Sequence, residues 1–360
     1  MTKRSKIILI VVLVAAITAL LFTLLFNMGW IRSRKGALPH DEAKVRYPYS
    51  QLSATEKALY GTLCTGIQNY EEKIKLPGTF DKATYERVFL LVCEQEPQFF
   101  YLDSVYETAE LMDTATMRYD VPKDDIGMMQ AEIDVAANTI ISAASAETDD
   151  IRKLLAIHDG IAEMCAYKDG DYQDEAYGCL AQGEAKCEGY AKAFLYVARK
   201  AGFNVMAVTG VINGTENHVW NIAEVNGKYY NIDVTWDDSV QYKGHITHTC
   251  FAVPDVMFGD HSADLTAYQP PVCDDDTQNY YALNMLTASS AAELPSMAST
   301  WLGDPLMLEF RLTDDAVVQD VAGKLATWSE MRDAVKVTSG AMSYRAFMDE
   351  NRRVLVILPS

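Results

Sequence analysis

A helix followed by a three-stranded antiparallel meander is the arrangement that this sequence specifies most clearly. Apolar residues recur at intervals of three and one from residue 190 to residue 201, and Gly202 follows them, which predicts a helix from Cys187 to Gly202. Strands are predicted after it at residues 203–212, 218–225 and 228–234. Asn-Gly pairs at 213–214 and 226–227 separate the strands, and such pairs favour two-residue hairpin turns. We therefore expect an α+β core in which one helix packs on an antiparallel sheet.

Three reactive side chains fall on these elements: Cys187 in the first turn of the helix, His218 on the second strand and Asp233 on the third. If the second Asn-Gly pair forms a two-residue loop, Trp220 lies opposite Asp233, and His218 becomes a diagonal neighbour of Asp233 on one face. A thiol, an imidazole and a carboxylate in contact are the groups that activate a cysteine nucleophile. The sequence thus predicts a Cys187-His218-Asp233 site for acyl transfer.

The start of a helix is a favourable place for the reactive thiol. The helix dipole and the unpaired backbone N–H groups of the first turn favour a thiolate over a thiol at Cys187. The same N–H groups can donate hydrogen bonds to an oxyanion.

The residues around these positions resemble the transglutaminase-like superfamily, in its bacterial, membrane-anchored branch. The resemblance is carried by the Cys-Glu-Gly-Tyr-Ala run from Cys187, the His-x-Trp-Asn run from His218 and the Asp-Val-Thr-Trp-Asp-Asp run from Asp233, and it covers residues 151–238. It implies a papain-like α+β fold with Cys187 as nucleophile and His218 as general base and acid. Asp233 would orient and charge the imidazole.

The resemblance also implies roles for three further side chains. Trp220 and Trp236 would line the cleft or pack beside it. Gln182, five positions before Cys187, would be the candidate side-chain donor to the oxyanion.

Two outcomes of the implied chemistry stay open. The Cys187 thiolate would attack an amide or peptide carbonyl, and His218 would protonate the leaving amine, which leaves a thioester. Attack by water on that thioester makes the protein a cysteine peptidase or amidase, whereas attack by an amine makes it a cross-linking transglutaminase. The alternative is a catalytically inactive transglutaminase-like module that serves as an extracytoplasmic binding or scaffold protein.

An N-terminal membrane anchor is predicted at Ile7–Trp30, 24 residues without a charge, which exceeds the ~20 needed to cross a bilayer. A cleaved signal peptide is the alternative, but the end of the segment, Met28-Gly29-Trp30, offers no small-x-small cleavage site. Basic residues flank the segment on both sides and give no orientation. We expect a single-pass signal anchor with the catalytic portion outside the cytoplasm.

Charge and composition restrict the partners. The net charge of −19 argues against nucleic acid, because phosphate binding needs clustered Lys and Arg. We expect a protein or peptide substrate, with cell-wall peptide as one candidate, and no cofactor. No metal site is expected either, because His245-x-x-His248-x-Cys250 lacks the paired context of known metal motifs. The seven cysteines leave one unpaired if the others form disulfides, and Cys187 is the one expected to be free.

Four regions are expected along the chain. They are the membrane anchor (1–36), a mainly helical N-terminal region (37–148), the transglutaminase-like catalytic core (149–272) and a small C-terminal α+β unit (273–360). Within the second region, Ser53 and Glu56 have the spacing of a capping box, and residues 99–102 are predicted to be extended. In the predicted helix at 149–167, His158 lies by the apolar stripe and is interpreted as a core histidine outside the site. The last region is predicted to have strands at 306–312 and 353–358 around a helical stretch at 316–335.

Overall fold

The computed structural model describes residues 46–103, 109–238, 242 and 244–360. The predicted anchor at Ile7–Trp30 lies outside the described residues and stays a prediction. Within the described residues, no helix has the length and apolar character needed to cross a membrane.

Helices and a small sheet form the part of the chain before the nucleophile region. The helices are α1 (Tyr47–Ser50), α2 (Ala54–Gln68), α3 (Lys82–Gln95), α4 (Ile126–Ala144) and α5 (Asp150–Met164). The sheet pairs β1 (Lys73–Asp81) with antiparallel β2 (Leu111–Thr116). The predicted capping box is confirmed: the Glu56 N–H donates to the Ser53 hydroxyl, and the Ser53 N–H donates to the Glu56 carboxylate.

The β1–β2 sheet was not predicted, and one local prediction in this region is wrong. The first strand of the sheet carries a Pro77-Gly78 pair and a register shift between Lys75 and Phe80. Residues 99–102 were expected to be extended, but a 3₁₀ helix, Pro97–Phe99, begins the segment. Proline at the first helical position has the fixed φ that such a turn needs, and the aromatic residues that follow are buried.

The core consists of one helix on an antiparallel sheet, as predicted, and the sheet has five strands where the sequence predicted three. Its elements are β3 (Ala166–Tyr167), a π-helix (Gly178–Gln182), β4 (Glu184–Ala185), α6 (Cys187–Lys200), β5 (Asn204–Ile212), β6 (Glu216–Val225), β7 (Lys228–Ile232), α7 (Val234–Asp237), β8 (Phe251–Val253) and β9 (His261–Ala263). The large sheet has the strand order β8-β7-β6-β5-β9, and α6 packs on β5 and β6. Short β3 and β4 pair in parallel beside the start of α6.

The hairpin between β6 and β7 sets the register that matters for the site. Asn226 and Gly227 have φ angles of 53° and 77°, as a type I′ turn requires, and Val225 pairs with Lys228. The predicted register is therefore confirmed. The third strand was expected to run to residue 234, but β7 ends at Ile232, because Asp233 instead caps α7 by accepting a hydrogen bond from the Trp236 N–H at 3.1 Å.

The C-terminal region is a second α+β arrangement. Its elements are α8 (Tyr280–Leu283), β10 (Thr287–Ala288), α9 (Leu294–Ser299), β11 (Leu308–Leu312), α10 (Asp315–Lys324), α11 (Ser329–Ser339), β12 (Tyr344–Asp349) and β13 (Val354–Pro359). The sheet order is β10-β11-β13-β12. Both predicted strands are present as β11 and β13, whereas the predicted helical stretch is divided into α10 and α11.

The two largest of the three apolar clusters in the described residues stabilise these regions. One contains buried residues from Tyr49 to Cys273, so the N-terminal helices share a core with the large sheet. The other contains buried residues from Ala288 to Ile357 and belongs to the C-terminal region alone. The predicted domain boundaries stay predictions.

Candidate active site

Cys187 is the first residue of α6, as predicted, and is half-buried. Lys186, the residue before it, does not cap the helix with its side chain. The N–H groups of the first turn are therefore not occupied by a side-chain cap, which leaves them suited to a substrate oxygen.

Close packing explains why the third residue of the Cys-Glu-Gly run, Gly189, is a glycine. A Cβ at this position would lie 2.3 Å from the Gln173 carbonyl oxygen and 2.9 Å from the Ala185 Cβ. Only glycine lets these backbone segments pack against the first turn of α6, next to the thiol.

His218 connects the thiol to the carboxylate. Its Nε2 lies 2.6 Å from Asp233 Oδ2, and its imidazole also has a side-chain interaction with the Cys187 thiol. Because Nε2 faces Asp233, Nδ1 is the ring nitrogen that is left for the thiol. The structure thus pairs His218 directly with Asp233, and the Cys187 thiol lies near enough to affect the pKa of the imidazole.

Asp233 is held on both of its carboxylate oxygens. Oδ1 accepts the Trp236 N–H, and Oδ2 is in hydrogen-bonding distance of two imidazoles, His218 at 2.6 Å and His261 at 3.1 Å. The residue is only 1% exposed. A carboxylate that is fixed in this way can hold an imidazole in one orientation.

The electrostatics favour a charged imidazole beside the thiol. Burial opposes protonation of His218, but the charge and hydrogen bond of Asp233 and the contact with Cys187 outweigh it and raise the pKa of His218 to about 10. Burial also opposes the ionised form of Asp233, yet His218 and His261 hold the pKa of this carboxyl well below its usual range. At neutral pH the pair is therefore an imidazolium and a carboxylate.

Both predicted tryptophans lie beside the imidazole. The Trp220 ring is stacked on His218 at a centroid distance of 6.4 Å, and the half-buried Trp236 ring meets His218 edge-on at 6.2 Å. Trp220 also donates from Nε1 to Asn231 Oδ1 at 3.2 Å, which fixes its ring.

Gln182 and Tyr167 both come before Cys187 in the chain. Gln182 ends the π-helix and is exposed, so its predicted role as an oxyanion donor stays a prediction. Tyr167, which the sequence reasoning did not select, lies near Cys187, and burial and this thiol raise the pKa of its hydroxyl. The residue is 43% exposed, and Lys186 Nζ lies 4.6 Å from its ring centroid.

His261 is the functional residue that the sequence reasoning missed. It contacts Asp233 through Nε2 and Asp260 through Nδ1, at 3.1 and 2.7 Å. The sequence placed it only in a loop-rich stretch, because a three-residue edge strand such as β9 leaves no periodic signal. The adjacent Asp260 was the one available hint, since acidic residues often orient an imidazole.

A second histidine cluster lies between α5, the segment after α7 and the C-terminal sheet. His158 and His248 each contact Asp159, through Nδ1 at 2.9 Å and Nε2 at 3.2 Å. Their other ring nitrogens contact buried carboxylates, His158 with Asp237 at 3.2 Å and His248 with Glu309 at 2.5 Å. His158 is fully buried, as expected for a core histidine.

Both clusters have ligand atoms within 4.8 Å of one another, a spacing that could hold a metal ion. In each of them, however, each histidine already has a ring nitrogen against the oxygen of the central carboxylate. In the His245-x-x-His248-x-Cys250 run, where no metal site was expected, His245 contacts Asp304 at 2.8 Å and His248 contacts Glu309.

Residues 137–234 match the model of the transglutaminase-like superfamily. The match contains Cys187, His218 and Asp233, and it confirms the resemblance that the sequence motifs indicate. No curated protein matches the sequence.

Solved structures that are similar to the chain include two with related descriptions. One is a TGase, with 14% identity and a TM-score of 0.28 over 36% of this chain and 43% of that chain. The other is a proposed cysteine protease from Cytophaga hutchinsonii, with 17% identity and a TM-score of 0.28 over 42% of this chain and 55% of that chain. The chain therefore spans about half the length of these two proteins.

Proposed function

We propose that this protein is a cysteine acyl-transfer enzyme that acts on amide or peptide bonds of proteins or peptides. Cys187 is the nucleophile, His218 the general acid and base, and Asp233 the residue that orients the imidazole. The observation that supports this most is the position of His218, which interacts with the thiol and lies 2.6 Å from a buried carboxylate.

The first half of the proposed reaction forms a thioester. The Cys187 sulfur attacks the carbonyl carbon, and the backbone N–H groups at the start of α6 donate to the oxygen as it gains negative charge. His218 then gives its Nδ1 proton to the leaving nitrogen as the C–N bond breaks. The amine departs, and the acyl group stays on sulfur.

The second half regenerates the thiol group. Water or an amine attacks the thioester carbon, and His218 takes the proton of the attacking group. The C–S bond breaks, the sulfur leaves with its electron pair, and His218 returns to the imidazolium form. Asp233 stabilises that cation in both halves, because it stays ionised far below neutral pH.

Selective alkylation of Cys187 in the folded protein is the direct test. The full-length chain, purified in detergent, is treated with a small excess of iodoacetamide, and the labelled peptides are quantified by mass spectrometry over time. We expect Cys187 to react first. Burial raises the pKa of the Cys64, Cys93, Cys179, Cys250 and Cys273 thiols, so these react slowly while the fold is intact.

Two histidine variants make the test specific. His218→Ala should slow the labelling of Cys187 by at least about tenfold, since the imidazolium that stabilises the thiolate is lost. His245→Ala is the matched control, because His245 contacts Asp304 rather than the cluster, and labelling should not change. Equal and slow labelling of all seven cysteines would leave the inactive binding module as the better description.

A product assay separates the two possible acceptors. The protein is incubated with a peptide library, with and without a labelled primary amine, and the products are read by mass spectrometry. Shortened or deamidated peptides identify water as the acceptor, whereas incorporated label identifies an amine. Peptides from the cell wall form one arm of the library, since they are one proposed substrate.

We also propose that Ile7–Trp30 anchors the enzyme in a membrane with the catalytic portion outside the cytoplasm. The uncharged length of this segment supports the anchor. Protease added to intact cells should then remove the catalytic portion, and full protection of that portion would reverse the proposed orientation.

A further inference from the structure

We propose that His261 and Arg352 are positioning residues for Asp233, so that the C-terminal region completes the active site. This inference rests on the proposed function. It starts from a line of contacts that runs from Asp233 through His261 and Asp260 to Arg352, which lies in the turn between β12 and β13.

The His261 side chain is buried within the candidate site. Its side chain is 1% exposed, and its ring stacks on Phe258 at a centroid distance of 3.7 Å with an interplanar angle of 21°. Trp220 meets the same ring edge-on at 5.1 Å. Phe258 thus covers one face of the His261 ring, and the two ring nitrogens point toward Asp233 and Asp260.

The edge strand that carries His261 needs a glycine opposite it. Gly210 on β5 pairs with His218 on one side and with Ala263 of β9 on the other. A Cβ at Gly210 would lie 2.2 Å from the Ser262 carbonyl oxygen, so any other residue would push β9 away. The backbone therefore places the two histidines, whose rings are 5.4 Å apart, where both reach Asp233 Oδ2.

Arg352, in the C-terminal region, is the last residue in this line of contacts. Its guanidinium is bidentate to Asp260, with Nη1 to Oδ2 at 3.0 Å and Nη2 to Oδ1 at 2.8 Å, and it also donates to Asp349 at 3.1 Å. Arg352 is 2% exposed, and its guanidinium lies 5.4 Å from the centroid of the Phe258 ring. A buried bidentate pair of this kind fixes direction as well as charge.

Each member of the line fixes the position of the next. His261 has a carboxylate oxygen beside each of its ring nitrogens, from Asp233 at Nε2 and from Asp260 at Nδ1. Arg352 holds Asp260 in place beside His261 Nδ1. Loss of Arg352 frees Asp260 to turn, His261 loses one of its anchors, and Asp233 loses the contact that fixes Oδ2 beside His218.

Four variants test this in the full-length protein, with the rate of Cys187 alkylation and the kcat and KM of peptide turnover as readouts. Arg352→Gln and His261→Phe should each lower the labelling rate and kcat by about tenfold with KM unchanged, an effect in the range found for residues of one hydrogen-bond network. Phenylalanine keeps the stacking on Phe258 but cannot donate. Arg352→Lys and His261→Gln keep one donor each and should recover part of the loss, which a merely structural role would not predict.

Arg353→Gln is the matched control. Arg353 is adjacent in the chain, also belongs to the C-terminal region, and contacts Asp315 and the Thr313 carbonyl rather than Asp260. Its replacement should leave labelling and kcat unchanged. Near-ultraviolet circular dichroism checks that each variant is folded, and if Arg352→Gln does not fold, the comparison of His261→Phe with His261→Gln decides.

The outcomes for this inference and for the proposed function are distinct. If Cys187 of the unaltered protein is not labelled selectively, the proposed function fails. If it is labelled selectively and folded His261→Phe reacts at the same rate, only the positioning role is overturned. A double variant with Arg352→Gln and His261→Phe should be no slower than the slower single variant, and additive losses would contradict a shared route through His261.

Discussion

Two histidine-aspartate-histidine clusters occur in the described part of the chain, and one of them lies beside the Cys187 thiol. In both, two imidazoles contact one carboxylate: Asp233 between His218 and His261, and Asp159 between His158 and His248. In the Asp159 cluster, every ring nitrogen lies within 3.2 Å of a carboxylate oxygen, although His158 Nε2 makes no hydrogen bond to Asp237. In the Asp233 cluster, one nitrogen of His218 is left for the Cys187 thiol.

The two clusters differ in the surroundings of their ring nitrogens rather than in the direction of their pKa shifts. The pKa is raised in both clusters, to about 10 for His218, about 9 for His158 and about 10 for His248. A shifted pKa therefore does not identify the site. A charged imidazole is able to act on a substrate only where one of its nitrogens is not committed to a carboxylate.

The largest expected contrast is between the two central carboxylates. Asp233→Asn should lower the rate of peptide turnover by about 10²–10⁴-fold, since an amide cannot stabilise the imidazolium and favours the wrong tautomer. Asp159→Asn should leave turnover unchanged. Steady-state kinetics of both variants check this, and equal losses would mean that the Asp159 cluster takes part in the reaction.

The second largest effect is expected on the free energy of unfolding, and it concerns the Asp159 cluster. His248→Phe keeps the stacking on Tyr280, whose ring centroid is 3.8 Å away, but leaves the buried Glu309 without its imidazole partner. Loss of one member of a buried pair should lower the free energy of unfolding by about 3 kcal/mol. Urea denaturation measures this, with His245→Ala as the control that should change little. A small change in His248→Phe would contradict a stabilising role.

A smaller effect is expected from the dependence of protein stability on pH. The pKa values of His158 and His248 are raised from the ordinary histidine value of 6.5 to about 9 and about 10. Their contribution to the free energy of unfolding is therefore fully present below pH 6.5. It is lost as the pH rises through 9 and 10, because the folded state then releases protons that the unfolded state has already lost. The difference in melting temperature between the unaltered protein and His248→Phe should therefore shrink between pH 7 and pH 10. A constant difference would show that His248 is not protonated in the folded state.

The local part of the site could be predicted from the sequence. The Asn226-Gly227 turn fixes the pairing of β6 with β7, and the two-residue period of strands then puts His218 and Asp233 on one face. The position of Cys187 at a helix start follows from the apolar spacing after it. These inferences need only neighbouring elements and short loops.

The long-range part could not be predicted, for physical reasons. His261 reaches Asp233 from an edge strand of three residues, and Arg352 reaches Asp260 from a hairpin turn in another sheet. No local periodicity or turn chemistry specifies such contacts. The β1–β2 sheet is different, since the alternation of Lys73, Ile74, Lys75 and Leu76 is a strand signal, but the Pro77-Gly78 pair that follows cuts it short.

The cysteines give the molecule an uneven sensitivity to oxidants. All seven are free, and five of them are thiols whose pKa is raised by burial, so they contribute little thiolate for peroxide to attack. Cys187 is half-buried and lies beside a cation. Oxidation should therefore reach the sulfenic acid stage at Cys187 first, and a reductant could restore the thiol without any refolding of the core.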